Sequence, residues 1–244
     1  MAGRIYSNVK EAVNETQREL AEMGILVAGH SYQDQLVEGK PEFVTKELQA
    51  YDFTIAKPHV AEALDQVIMW YGVKVEQWVR AEFDERVSIR PENPGTAWGL
   101  RPHVWSQFLE RDGEFAYTYS ERMGCQLNRV IGELREHPQT RQAVIEIHTN
   151  HGGDIDRMGG RRRIPCSMFY QFMIRNGAMD CIYVMRSSDF LTHFVNDITL
   201  AIMLQDWMRS KVDNGMGTLK MGNFTMFISS LHCFQKDIDA KGIF

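Results

Sequence analysis

The sequence predicts an α+β fold, in which helices pack on one large mixed β-sheet within a single domain spanning residues 1–244. Three observations carry that reading. Apolar residues recur at helical spacing in an opening segment and again near residues 60–85, 124–136 and 196–212. Two nine-residue runs, SMFYQFMIR and AMDCIYVMR, flank Asn176-Gly177, the dipeptide that readily takes the positive φ angles of a tight hairpin turn. Finally, 244 residues at 44% hydrophobic content are enough to bury one full core, and nothing in the composition forces a split.

In chain order, Ile5, Val9, Val13 and Leu20 place one face of an amphipathic helix over the first two dozen residues, with Gly24 as its cap. Short apolar runs at Ile25-Leu26-Val27 and Phe53-Thr54-Ile55, broken by Gly29, Gly39, Pro41 and Pro58, read as strands and turns. A helical stretch follows from about Val60 to Glu85. The Pro- and Gly-rich run RPENPGTAWGLRPHVW cannot sustain a helix, and its length for an internal connection marks it as a functional loop. Gly124 to Glu136 is helical, with Leu127, Val130, Ile131 and Leu134 on one side. Ala143 to His148 is a short strand, the hairpin follows, Asn196 to Val212 is a helix, and Phe224 to Cys233 is a last strand.

Charge and cysteine content narrow the functional classes. With 27 basic and 32 acidic residues the net charge is −5, which offers no general attraction for nucleic acid or an anionic membrane. A bound phosphate would need a local arginine cluster. The four cysteines, Cys125, Cys166, Cys181 and Cys233, lack both a disulfide framework and a paired zinc spacing, as expected of free thiols in a reducing cytoplasm. The N-terminal segment mixes charge throughout and reads as neither signal peptide nor membrane anchor. A cytoplasmic enzyme, or one in a host cytoplasm if phage-encoded, is the expectation.

The chemistry gathers around Cys166. It follows Pro165 at the start of the hairpin, close in sequence to Arg161, Arg162 and Arg163, whose charge would stabilise a thiolate. Taken alone, a cysteine at a strand start is equally a small hydrophobe. The runs PCSMFYQF, YVMRSSDFLTHFVND and SSLHCF, in that order and spacing, resemble the signature of the thymidylate synthase superfamily, most closely its phage deoxycytidylate hydroxymethylase branch. Trp105, Tyr119 and the pair Arg141-Gln142 fall where that superfamily has its pocket tryptophan, tyrosine and twin arginines, so the resemblance covers roughly Glu82 to Phe234.

The resemblance implies a thymidylate synthase-like fold and a division of labour. Cys166 would attack carbon 6 of a pyrimidine nucleoside monophosphate, turning carbon 5 into a nucleophile for the one-carbon unit of 5,10-methylenetetrahydrofolate. Glu82 would manage protons through ordered water, with Glu76 and Glu85 as competitors, and Tyr119 would join it at the catalytic centre. Arg186 and Ser187 would hold the phosphate, helped by Arg141 from the second subunit of a homodimer. Asp189 closes the arginine-serine-x-aspartate motif, and His232 would hold the sugar hydroxyl. Trp105 lines the cofactor site.

The base-reading position is Asp197, or Asn196 if a gap is placed differently. A carboxylate suits the exocyclic amine of cytosine, so dCMP is favoured over dUMP. Gln142, Ser167 and Phe234 depart from the superfamily's second arginine, its histidine after the cysteine and its late tyrosine. Hydroxymethylation of dCMP, in the service of phage DNA modification, is the leading expectation, with methylation close behind. Three other readings stay open: a Cys166–His232 hydrolase, a metal site at His148, His151 and Asp154, and a non-catalytic nucleotide-binding protein.

Overall fold

The computed structural model describes residues 3–29, 31–32, 35–150, 153–154 and 163–241. In chain order, β1 (Ile5–Tyr6) leads to α1 (Val9–Met23), β2 (Ile25–Ala28), the short pair β3 (Ser31–Tyr32) and β4 (Gln35–Leu36), and the long β5 (Val44–Ile55). Helices α2 (Val60–Tyr71), α3 (Val75–Arg86), the one-turn α4 (Pro102–Trp105) and α5 (Tyr119–Glu136) follow. The chain then runs through β6 (Val144–Glu146), β7 (Ser167–Arg175), β8 (Ala178–Asp189), a π-helical turn at Phe190–Phe194, α6 (Val195–Asp213), β9 (Lys220–Phe234) and α7 (Gln235–Lys241).

The main sheet has the order β1-β5-β9-β8-β7-β6, with β2 added to β5. It is mixed: β1–β5 and β8–β9 are parallel, and the remaining pairs antiparallel. The parallel β8–β9 pair needs a crossover, and α6 supplies it. That helix is buried nearly all round, from Val195 to Val212, which is why its sequence shows so little amphipathic contrast.

Strand alternation decides what each face does. Met179, Cys181, Tyr183 and Met185 of β8 and Phe224, Met226 and Ile228 of β9 point into the helix-covered core. On the opposite face Phe169, Met173, Ile182, Val184 and Phe227 remain half-buried. That second face is apolar over three adjacent strands.

The hairpin falls where the sequence places it: Asn176 and Gly177 both have positive φ, 52° and 71°, joining β7 and β8 in register. Other boundaries shift for identifiable reasons. Ile5 is not on the opening helix; it lies in β1 and is 70% exposed, because Asn8 caps the helix by accepting from the Glu11 amide. Gly24 does close that helix, and a Cβ there would lie 2.8 Å from the Lys46 side chain. The stretch from Val60 to Glu85 is two helices, broken at Gly72 with φ 90°. Helix α5 starts at Tyr119 rather than Gly124, since Thr118 and Glu121 form a reciprocal capping box.

At Gly222 the β8–β9 register shifts, and the two backbones come close enough that a Cβ at 222 would sit 2.6 Å from the Met179 carbonyl. Gln205 spans the same spot, donating to the carbonyls of Met179 at 2.8 Å and Asn223 at 3.2 Å. Gly222→Ala is therefore expected to destabilise the fold by about 2 kcal/mol through overpacking. A urea midpoint unchanged from wild type would contradict that close approach.

Candidate active site

Cys166 stands immediately before β7, half-buried, with its carbonyl pinned by the Arg186 amide of β8 at 2.8 Å. The Arg186 guanidinium turns back over the same turn. It donates to the carbonyls of Pro165 (2.9 Å) and Ile164 (3.1 Å) and lies 3.6 Å from the Cys166 sulfur. A cation is thus held against the thiol by two backbone acceptors. Cys181 and Cys233 are fully buried, and burial pushes the Cys181 thiol far up. Neither is placed to react.

Beside this turn opens a cleft lined by Glu82, Glu85, Arg86, Trp98, Trp105, Phe115, Tyr117, Tyr119 and Arg163, with Pro94, Thr118 and Ser120; Cys166, Arg186, Asp197 and His232 are not among its lining residues. The loop Arg90–Trp105 builds one wall, and it is tied down in several places. Glu85 accepts from the amides of Thr96 (2.6 Å) and Ala97 (2.8 Å), while Asn93 exchanges two 2.8 Å bonds with the Phe115 backbone. Trp105 stacks on Trp78 at 6.3 Å and meets His193 at 5.7 Å, and Arg163 lies 4.9 Å from its ring. The Trp105 indole N–H is buried without a hydrogen-bond partner among the described residues.

The three carboxylates that compete in sequence are separated by their partners. Glu76 pairs with Arg80 on the surface, and Glu85 anchors the loop. Glu82 instead faces the buried Arg86 at 2.9 Å, whose guanidinium sits 3.9 Å from the centre of the Tyr119 ring. Burial alone would pull Arg86 down, but Glu82 and the surrounding phenols raise it further and keep it charged. Tyr119 in turn is bonded to Ser167, 2.9 Å away, next to Cys166.

Asp189 accepts from the amides of Leu191 (3.0 Å) and Thr192 (3.1 Å), so it caps the turn that launches α6. Asn196 is buried and its amide donates back to Thr192. Asp197 faces the other way and accepts from Ser188 at 3.0 Å. Burial pushes the Asp197 carboxyl up to about 7, against the pull of Arg86 and Ser188 and with help from Asp189 and Glu82. Ser187 lies 3.4 Å from His232 Nδ1, and the His232 ring packs edge-on against Phe234.

Arg141 is outside the cleft. It is exposed, and its carbonyl accepts from Gln171 on the uncovered face of the sheet. Arg161, Arg162 and His151 lie outside the described residues. Asp154 is committed to Arg122 at 2.9 Å and the Thr149 amide at 2.8 Å, which removes it from a metal set.

Several site residues were not singled out from sequence. Arg86 has an i,i+4 partner in Glu82, a signal that was legible but common on any helix. His193, Arg101, Tyr117 and Tyr183 had none. His193 is held neutral, pushed down to about 4 by burial and by Arg163, Arg101 and His232, with Asp189 opposing. Arg101 is buried over Tyr71 and Trp78, and burial lowers it.

A family model described as thymidylate synthase matches residues 36–242. The chain belongs to the thymidylate synthase family. Within the family, it is 32% identical over 127 residues to a putative thymidylate synthase of Methanocaldococcus jannaschii, covering 51% of this chain and 54% of that protein. It is 26% identical over 146 residues to the deoxycytidylate 5-hydroxymethyltransferase of Enterobacteria phage T4, covering 57% and 59%. The chain therefore spans little more than half the length of these relatives. Among solved structures, thermostable thymidylate synthase A from Bacillus subtilis superposes with a TM-score of 0.63 at 14% identity, over 97% of this chain and 83% of that one. That likeness establishes the thymidylate synthase fold.

The raised Asp197 carboxyl has a consequence for stability. Its folded value lies above the ordinary 3.8, so ionising it costs the folded state more than the unfolded one. Its contribution is present below about pH 4 and is lost as pH rises through about 7. Relative to wild type, Asp197→Asn should gain melting temperature between pH 4 and 8, with the gain shrinking at the acid end. A pH-independent difference would remove the linkage.

Proposed function

We propose that this chain transfers one carbon from 5,10-methylenetetrahydrofolate to carbon 5 of a pyrimidine nucleoside monophosphate, with dCMP as substrate and 5-hydroxymethyl-dCMP as product. The single observation that carries the reading is Cys166, half-buried near an aromatic cleft with the Arg186 guanidinium 3.6 Å from its sulfur. The named activity of the phage T4 relative points the same way.

Cys166 adds to carbon 6 of the pyrimidine, so that the ring's electron density is raised at carbon 5. Arg186, with Ser187, binds the nucleotide phosphate; a phosphate would compete with the two carbonyls that the guanidinium now satisfies. His232 takes the sugar hydroxyl. Glu82, fixed by Arg86, manages protons through ordered water, and Tyr119, which lines the cleft and bonds Ser167 next to Cys166, joins it at the catalytic centre. The folate, when bound, would supply the methylene carbon and be released as tetrahydrofolate, and water would supply the hydroxyl oxygen of the product. Trp105 and the rings of Trp98, Phe115 and Tyr117 form walls suited to a flat heterocycle, and the unpartnered indole N–H of Trp105 is a donor for it.

Asp197 reads the base in this proposal. Its carboxyl, raised by burial to about 7, can accept from the exocyclic amine of cytosine and share a proton with the adjacent ring nitrogen, while the Asn196 amide nitrogen donates to the Thr192 carbonyl of the preceding turn. A uracil carbonyl would face an acceptor and lose a hydrogen bond. The partner is a second copy of the chain, docked on the apolar face that carries Phe169, Ile182, Val184 and Phe227, beside which Arg141 is exposed for the neighbouring phosphate site. No described helix is long and apolar enough to cross a membrane, and we place the enzyme in the cytoplasm as one domain.

The test is tritium release from carbon 5 of labelled dCMP and dUMP, with and without the folate, followed by product mass spectrometry. Folate-dependent release from dCMP with a hydroxymethyl product is expected. Cys166→Ser should lower turnover by roughly a thousandfold or more while nucleotide binding persists; near-normal turnover would refute covalent catalysis. Asp197→Asn should shift the dCMP to dUMP preference by roughly 100-fold toward dUMP. An unchanged ratio would move base reading elsewhere.

A further inference from the structure

The guanidinium of Arg163 stands among the rings of the cleft. Its central carbon is 4.9 Å from the ring centre of Trp105, 4.6 Å from that of Phe108 and 5.1 Å from that of Tyr117, and Arg163, Trp105 and Tyr117 all line the cleft. Trp78, Phe108, Phe115 and His193 surround Trp105 with ring centres 5.7–6.5 Å away, so the cation is nearer to Trp105 than any of these rings. Among the described residues the charge of Arg163 is met by three rings and by no ion pair. The chain directly after it is pinned, because Arg186 donates to the carbonyls of Ile164 and Pro165. A fixed turn therefore holds the Arg163 side chain up to the rings.

Aromatic groups that pack on one another lie with their centres about 4.5–7 Å apart. A guanidinium is planar, weakly hydrated and attracted to ring faces, so it competes for the same space. At 4.6–5.1 Å from three ring centres, Arg163 fills the position in which a flat ligand would rest on Trp105 and Tyr117. We propose that Arg163 is a built-in occupant of the cleft, which a planar heterocycle must displace from Trp105 and Tyr117 in order to stack there.

The exchange decides what the cleft accepts. A ligand that only touches the rings gains little over the guanidinium it replaces. To prevail it must also bury more apolar surface, or offer an acceptor to the indole N–H of Trp105, which lacks a partner among the described residues. Small apolar solutes are thereby excluded, and an extended heterocycle with an acceptor at its edge is admitted. Resting on the proposed one-carbon chemistry, that heterocycle is the two-ring head of the folate, and Arg163 is a specificity-determining residue on its side of the cleft. The apparent affinity is lowered by the fraction of molecules in which Arg163 is in place.

Calorimetric titration of the full chain with folic acid tests the exchange. Arg163→Ala, with Arg163→Gln as a second uncharged variant should the first not fold, should bind folic acid about tenfold more tightly than wild type. Millimolar guanidinium chloride, which can refill the emptied space, should reverse that gain and leave wild type unchanged, whereas sodium chloride at the same concentration should do neither. Equal or weaker binding by the folded variant overturns the proposal, since the guanidinium would then be remote from the bound ring or part of its binding surface. If wild type and variant alike bind no folic acid, the cofactor reading fails, and tryptophan fluorescence still decides whether Arg163 fills the space. Guanidinium should then change the emission saturably in the Arg163→Ala protein alone, and the same response in wild type would overturn the occupancy.

Discussion

The buried charge pair of Glu82 and Arg86 is the constraint on which the rest of the site depends. A guanidinium almost fully removed from water is tolerable only with a carboxylate and polarisable rings around it, and here both are present: Glu82 at 2.9 Å and the Tyr119 face at 3.9 Å. Removing either partner would leave a buried charge uncompensated, at a cost of about 3–5 kcal/mol. The pair itself lies within α3, and the Arg86 guanidinium, resting on the ring of Tyr119, ties that helix to the start of α5 at the cleft wall. The same cation then influences Asp197 from across the site, opposing the burial that keeps that carboxyl near neutrality.

The sheet supplies the second half of the geometry. Cys166 and Ser167 precede or open β7, Arg186, Ser187 and Ser188 end β8, and His232 ends β9, so one end of three adjacent strands carries the thiol, the cations and the polar side chains. In the register, Ser187 pairs with Ser230 and Asp189 with His232 across the parallel β8–β9 ladder. A single residue of slip would turn these side chains to the opposite face. The Gly222 close approach and the Gln205 bridge, far down the same strands, hold that register from the other end.

Much of the fold could be read from residue order because local rules agree with the tertiary result. The Asn176-Gly177 turn, the helix beginning near Asn196 and the last strand all appear within a few residues of their expected places. Errors arose where a short polar signal outweighed hydrophobic periodicity. Asn8 starts α1 and thereby pushes Ile5 into a strand, Thr118 and Glu121 start α5 a turn before its apolar face becomes evident, and Gly72 divides what looked like one long helix.

For the site, sequence alone determined the residue types and their order: a cysteine after proline, an arginine-serine pair one hairpin later, a carboxylate in the first turn of the next helix, and a histidine on the last strand. Those are local facts, each set by a motif within a single element. Tertiary structure alone decided which charges are buried and which hydroxyls touch. Glu82, Glu76 and Glu85 are chemically alike in the chain, and only packing sends the first to a buried arginine, the second to a surface pair and the third to a loop. His193, Arg101 and Tyr183 carry no signal in sequence because their roles come from burial and from neighbours on other elements of the fold, and burial is a property of the assembled core.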